Sequence, residues 1–396
     1  MLVLMAHPAV TISTRGAERL RQGHPWIYRS DIRESAAEPG DLVRVVSERG
    51  RPLGSAFWSS ESQISIRFLG AEDVTDERAM FTSRIETAVA FRKSLDIDAT
   101  AWRAVNAEGD RLPGLIIDVY GEGAGRVAVV QTLTQAMDRR IQLIAEVTAE
   151  VLQASGVLAR NDQKVRKLEG LAESVEVVRG TVPDLVDVRE GQVRYGVDVR
   201  HGQKTGLFLD QRENHEAAAR YAHGRALDGF TYNGGFALRL SGTCESVLAL
   251  DSSAPAVAAT RANAERNGLS NLDVQEANVF DALRELEIAR ERFDTVVLDP
   301  PAFAKNKAAL ERAAAGYKEI NLRALRILKP GGVLVTCTCS YHVQEDTFEA
   351  ILEQAASDAH ATVTVVEKRA QARDHPILLG VPETHYLKCF VLRKLA

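Results

Sequence analysis

Cysteine is scarce in this 396-residue chain: Cys244, Cys337, Cys339 and Cys389 are the full set, and no two stand in a CxxC spacing. That excludes a disulfide framework. A reducing cytoplasm is the expected compartment. No run of about 18 apolar residues occurs, so no membrane span is expected. The opening MLVLMAHPAV lacks the basic start and long apolar core of a secretory signal. There is no GxGxxG fingerprint, which argues against a nicotinamide-dependent dehydrogenase. Positive charge is lacking too. The net charge is −5, whereas binding to phosphates ordinarily favours a basic footprint.

What is present is ordinary for a soluble globular protein, with 45% hydrophobic and 26% charged residues. The length implies two or three domains. Residues 1–70 hold nine arginines and no lysine against seven acids, a mild local excess. Here the short runs VTIS, PWIY, DLVRVV and SQISIRFL are separated by Pro-Gly-Asp and Arg-Gly-Arg-Pro turns, which predicts a small β-barrel. The middle of the chain is mixed. A helix over ERAMFTSRIETAVAFRKSL leads to the strands LIIDVY and RVAVVQT and a second helix near 135–154, and strands near 175–198 close the region. From about 200 onward strands and helices alternate, the pattern of a parallel sheet with crossover helices. Strands are expected at 225–228, 246–251, 272–277, 293–299 and 332–338, with helices between them, one of them over 306–327. ATVTVVEKR and HYLKCFVLRKL then pair as an antiparallel hairpin. The expected domains are 1–72, 73–195 and 196–396.

Five strand ends carry candidate chemistry. ALDGFTYNGGFAL (226–238) runs from a strand ending in Asp228 through Gly229, Gly234 and Gly235 into a helix. Glycines let a ligand approach the backbone, and the helix start offers free amides. Asp251 ends the second strand, where an acid can accept from a ribose diol; the plainer reading is an N-cap for the helix near Pro255. Asn278 follows the third strand. TVVLDPPAF (295–303) closes the fourth, where two prolines fix the backbone and hold Asp299 toward the crevice. The fifth, GGVLVTCTCS, delivers Cys337 and Cys339. Period-two alternation predicts that both cysteines face the same way, with Cys337 deeper, packed as a small hydrophobe, and Cys339 at the rim. A metal site there is disfavoured, because His342 is the only further ligand type nearby.

QKTGLFLDQREN, DGFTYNGGF, LDPPAFAKNK, KPGGVLVTCTCS and DHPILLGVPETHYLK, together with GHPWIY and DRLPGLIIDVYG, resemble the bacterial large-subunit ribosomal RNA cytosine-C5 methyltransferases over essentially the whole chain. That resemblance implies a PUA-type RNA-binding barrel, a central small α/β domain and a Rossmann-like S-adenosylmethionine-dependent methyltransferase domain, an α/β architecture. It implies Cys339 as nucleophile and Asp299 as the acid at the base's N3 edge. Asp228, Phe230, Tyr232, Gly234, Gly235, Asp251, Ser252, Asn278, Val279 and Asp299 would hold the cofactor, with Gln211 and Arg212 at its methionine end. Asn278 departs from the family's usual Asp. Arg15, Arg19, Arg29 and Trp26 combine phosphate donors with stacking surface, the mix RNA binders use; Trp26 reads equally as a core residue, and Phe303 is offered both as a base-stacking and as a core residue. The implied partner is large-subunit rRNA, with no membrane and a homodimer left open. Two rivals stand beside this reading. One is a methyltransferase acting on a base amino group or on protein, for which Asp299-Pro300-Pro301 suffices. The other is an RNA-binding protein with a degenerate Rossmann domain, which the intact cofactor loop, Asp251 and Asp299 disfavour.

Overall fold

The computed structural model describes residues 7–303 and 310–396, so Lys305, Asn306 and Lys307 of the Asp-Pro-Pro motif and the predicted helix start at 306 lie outside the described residues. The chain forms two compact units. The first comprises residues 1–188, 197–206 and 373–384, and the second residues 189–196, 207–372 and 385–396.

In the first unit, a six-stranded sheet is built in the order Trp26–Tyr28, Ile64–Gly70, Pro52–Trp58, Leu42–Ser47, Ala9–Ile12 and Ile32–Ser35. Its strands alternate, so one face supplies the buried Val10, Ile12, Ile27, Val43, Val45, Ala56 and Ile66. A five-stranded sheet follows, in the order Ser174–Gly180, Gly156–Asn161, Val127–Thr132, Leu115–Tyr120 and Ala101–Asn106. LIIDVY and VAVVQT are buried at every position, which is why they read as continuous apolar runs. Two of these strands, Ala101–Asn106 and Gly156–Asn161, were not expected. The predicted helix over 135–154 is two helices, Gln135–Arg139 and Ile141–Leu152.

The second unit is a seven-stranded sheet: β1 (Arg225–Gly229), β2 (Ser246–Asp251), β3 (Leu272–Glu276), β4 (Phe293–Leu298), β5 (Leu328–Thr338), β6 (Val363–Arg369) and β7 (Lys388–Lys394). The spatial order is β3-β2-β1-β4-β5-β7-β6. β1 to β5 are parallel, and β7 runs antiparallel between β5 and β6, so the predicted terminal hairpin forms. The helices are α1 (Arg212–Tyr221), α2 (Gly235–Leu240), α3 (Ala254–Arg266), α4 (Val279–Ile288), α5 (Leu310–Ile327) and α6 (Glu345–Asp358). α4, α5 and α6 cover one face around Tyr317, Phe348 and Phe390; the other face packs Val335, Cys337, Cys389 and Val391 beneath Phe236 and Ala237 of α2. The strand order reverses beside β1, leaving the carboxyl ends of β1, β2 and β4 around one crevice, the general place for a ligand in such sheets. Among the described residues, no helix is long and apolar enough to cross a membrane.

Candidate active site

The β1–α2 loop is held in a conformation that side-chain sterics oppose. Phe230 (φ 69°) and Tyr232 (φ 52°) both sit in the left-handed region, which costs a bulky residue roughly 1–2 kcal/mol. Strain of this kind persists where the surroundings over-determine it, and it gathers at functional sites. The restraints are visible. The amides of Phe230 and Thr231 donate to the Leu250 carbonyl at 2.9 and 3.0 Å. Thr260 Oγ1 donates to the Tyr232 carbonyl at 2.7 Å, and Asn263 Nδ2 to that of Asn233 at 3.1 Å. Gly234 (φ 90°) precedes α2. A Cβ on Gly235 would lie 2.7 Å from the ring of His215, so glycine is what lets α2 pack against that imidazole.

Asp228, 1% exposed, lies beneath this loop. Its Oδ2 accepts from Thr231 Oγ1 at 2.7 Å and from the Ala237 amide at 3.0 Å, while Oδ1 has no hydrogen-bond partner among the described residues. Burial drives its pKa up to about 7, with Asp299 adding to the rise and the hydrogen bond from Thr231 opposing it. An acceptor left buried and unsatisfied is costly, and a cation beside it would remove that cost. Gln211, 2% exposed, turns its side-chain amide toward the Cys337 thiol, and its Oε1 accepts from Asn214 at 2.6 Å. Arg212 begins α1 and is 6% exposed. The buried orphan acceptor of Asp228 fits the ammonium or sulfonium group of S-adenosylmethionine, and the Arg212 guanidinium fits its carboxylate.

Asp251 is half-buried at the end of β2. Its Oδ2 accepts from the Tyr232 amide and its Oδ1 from the Ser253 amide, both at 2.9 Å. The N-cap of α3 is Ser253 and not Asp251, so the plainer reading of Asp251 fails. With one amide on each oxygen, the carboxylate keeps lone pairs for a ribose diol. Ser252 is exposed beside it. Asn278 caps α4, its Oδ1 accepting from Phe280 (2.9 Å) and Asp281 (3.4 Å). A bond from an adenine amino group would have to share that oxygen. Val279 is buried behind it.

Asp299 follows β4, half-buried, its amide 3.4 Å from the Gly229 carbonyl. Phe303 is packed into an aromatic cluster, with ring centroids 4.6 Å from Tyr317, 5.7 Å from Phe280 and 6.5 Å from Phe230. This favours the core side of its two readings.

The two cysteines part company. β5 ends at Thr338, so strand alternation does not extend to Cys339. Cys337 is fully buried with Cys389 and Val335. Burial pushes its thiol well up, and Cys389 and Asp299 push it further. Cys339 is half-buried, and its thiol is an electrostatic neighbour of Tyr317 and Lys388. Thr338 Oγ1 donates to the Tyr317 hydroxyl (2.8 Å), which lies 2.9 Å from Ser340 Oγ, and the Ser340 amide donates back to Thr338 Oγ1 (3.2 Å). These bonds fix the backbone on both sides of Cys339. Tyr317, Ser340, His215 and Lys388 were not singled out from sequence. For Lys388 the available signal was a lysine at the head of the apolar run CFVL.

The expected RNA residues lie in the first unit. Arg15 donates to Asp31 at 2.7 Å with its side chain 66% exposed. Arg19 lies over the Tyr28 ring and 3.5 Å from Asp31. Arg29 donates to the carbonyls of Ser60 and Ser62. Trp26 is half-buried, its indole N–H donating to Glu108 at 3.0 Å.

Comparison with known proteins adds to this geometry. A model of the PUA-like domain matches residues 10–70, and a model of S-adenosylmethionine-dependent methyltransferases matches residues 133–392. The chain is 39% identical over 381 residues to ribosomal RNA large subunit methyltransferase I of Alteromonas mediterranea, covering 94% of this chain and 95% of that one. With the protein of the same name from Aeromonas salmonicida it is 38% identical over 390 residues, covering 96% and 98%. Among solved structures, SMU.776 in complex with SAH superimposes with a TM-score of 0.84 at 20% identity, over 98% of this chain and 99% of that one. A Streptococcus mutans structure gives 0.82 at 19% over the same shares. At these identities the likeness concerns the fold.

Proposed function

The chain belongs to the S-adenosylmethionine-dependent methyltransferases of the ribosomal RNA large subunit methyltransferase I family, and from that membership we propose that it forms 5-methylcytosine in large-subunit rRNA through a covalent bond between Cys339 and cytosine C6. The observation that carries the reading is the contrast between the two cysteines. Cys337 is sealed in the core with a thiol held protonated, whereas Cys339 is accessible just past the end of β5.

The cofactor supplies, when bound, a methyl group made electrophilic by its sulfonium. Asp228, Gln211 and Arg212 would hold its methionine end, Asp251 its ribose, and the Asn278–Val279 turn its adenine. Cytosine C5 is a poor nucleophile until a thiolate adds to C6. The Cys339 thiolate gives its electron pair to C6, and the displaced ring electrons gather toward N3, where Asp299 holds or protonates the base. C5 then has the electron density that methylation needs. Loss of the C5 proton and expulsion of Cys339 restore the aromatic ring. Arg15, Arg19, Arg29 and Trp26 are proposed to contact the RNA, and the target base must be flipped or unpaired to reach the crevice.

Methyl transfer from tritiated S-adenosylmethionine to unmodified large-subunit rRNA, followed by nucleoside analysis, tests the proposal. 5-Methylcytosine is expected from the wild type and from Cys337→Ala, and none from Cys339→Ala. Label on an exocyclic nitrogen or on protein would replace the covalent reading with the amino-directed one.

A further inference from the structure

Lys388 opens β7 and is 1% exposed. A buried ammonium is strongly unfavourable unless it is paired and fully hydrogen-bonded. This one has two carbonyl acceptors at long range, Tyr386 O at 3.4 Å and Ser340 O at 3.5 Å. No carboxylate among the described residues stands within ion-pair distance of it. Its place in the sheet shows where the missing charge belongs. Lys388 is the cross-strand partner of Thr338, and its Nζ reaches the carbonyl of Ser340. The residue bracketed between those two contacts is Cys339.

We propose that Lys388 is the positioning residue that keeps Cys339 ionised, the two forming a thiolate–ammonium pair just past the end of β5. The inference rests on the cytosine-C5 reading above and deepens it. With the proton resident on Nζ, the addition step needs no proton transfer from sulfur: the Sγ–C6 bond forms from the thiolate pair as the C5–C6 π electrons move toward N3. When that bond breaks at the end, its electrons return to sulfur beside the same ammonium. The other titratable groups around the thiol do not replace Lys388. Tyr317, from α5, is a buried phenol whose pKa burial raises, so it stays neutral. Glu345, at the start of α6, acts on Lys388, and Asp299, after β4, acts on Cys337; both are acids, which oppose a thiolate. His385, before β7, has its pKa lowered first by burial and then by Lys388, so it stays uncharged at neutral pH. Burial also lowers the pKa of Lys388, and Cys339 and Glu345 act to restore it, as mutual stabilisation requires.

The test uses the full-length protein. The rate of iodoacetamide alkylation at Cys339, located by peptide mass spectrometry, is followed against pH in the wild type, Lys388→Met and Lys388→Arg, alongside the pH profile of kcat. In the wild type the Cys339 thiol should titrate below about 7.5. Lys388→Met should raise that midpoint by about 1–2 units. It should also lower kcat at neutral pH about 10- to 100-fold, with recovery as the pH is raised and with cofactor affinity unchanged. Lys388→Arg should keep both midpoints near wild type. A wild-type midpoint at or above the ordinary thiol value overturns the proposal without any variant having to fold. Superimposable profiles for wild type and Lys388→Met overturn it as well. If Lys388→Met shifts the alkylation profile while Cys339→Ala still methylates RNA, the cytosine-C5 reading fails and the pairing stands.

Discussion

Asp228→Asn isolates a strongly perturbed carboxyl of the proposed cofactor site. In the folded chain Asp228 titrates at about 7, against an ordinary 3.8, because it is buried, with Asp299 close by and one oxygen unsatisfied. Between those two values the folded chain binds about one more proton than the unfolded chain. The contribution of Asp228 to stability is therefore fully present below pH 3.8 and is lost as the pH rises toward 7, by up to about 4 kcal/mol. A cation held against Oδ1 would favour the ionised form, so cofactor binding should expel the proton. If ionisation is required for tight binding, affinity scales with the ionised fraction and rises about 20- to 30-fold between pH 5.5 and 7.5. Isothermal titration calorimetry of S-adenosylmethionine in buffers of different ionisation enthalpy should register release of close to one proton at pH 6. Asp228→Asn should abolish both the proton release and the slope, and should flatten the fall in apo-protein stability over the same range. A wild-type affinity that is flat with pH, or a slope that survives in Asp228→Asn, would refute the reasoning.

Gly235→Ala places a Cβ 2.7 Å from a His215 ring already tied to Glu190 at 3.0 Å; a loss of about 1–3 kcal/mol in urea unfolding is expected, with weaker cofactor binding. Asn278→Ala removes the cap of α4 and should cost about 1 kcal/mol, while Asn278→Asp, which keeps a capping oxygen, should restore stability in the same assay. In the first unit, Glu169→Ala strands Arg67, its partner at 2.7 Å with both side chains largely buried; breaking such a pair costs about 3–5 kcal/mol, read as a lower thermal midpoint. An unchanged midpoint would mean that the pair contributes nothing.

The methyltransferase sheet was legible because its strands are apolar runs closed by chemically distinctive ends, and Asp228, Asp251 and Asp299 lie where those ends place them. Two strands of the first unit were not legible, for a physical reason. AWRAVN carries Arg103, neutralised by Asp118 at 2.8 Å, and GVLARN carries Arg160, which donates to the Val199 and Gly202 carbonyls. A charge inside a run signals solvent until its distant partner is known. Lys388 is the same case: a lysine in a terminal strand suggests an exposed edge, but β7 lies inside the sheet between β5 and β6. At Cys339 the reach of strand alternation is limited for another reason. Alternation holds only while the strand continues, and β5 ends at Thr338.

The covalent step is tested most directly by trapping. RNA carrying 5-fluorocytidine at the target has no C5 proton to lose, so a thioether formed at C6 cannot be expelled after methylation. With S-adenosylmethionine present, the wild type should give a protein–RNA complex stable to SDS, with the nucleotide mapped to the peptide containing Cys339, and Cys339→Ala should give none. A complex mapped to Cys337, or methylation without any stable adduct, would contradict the account.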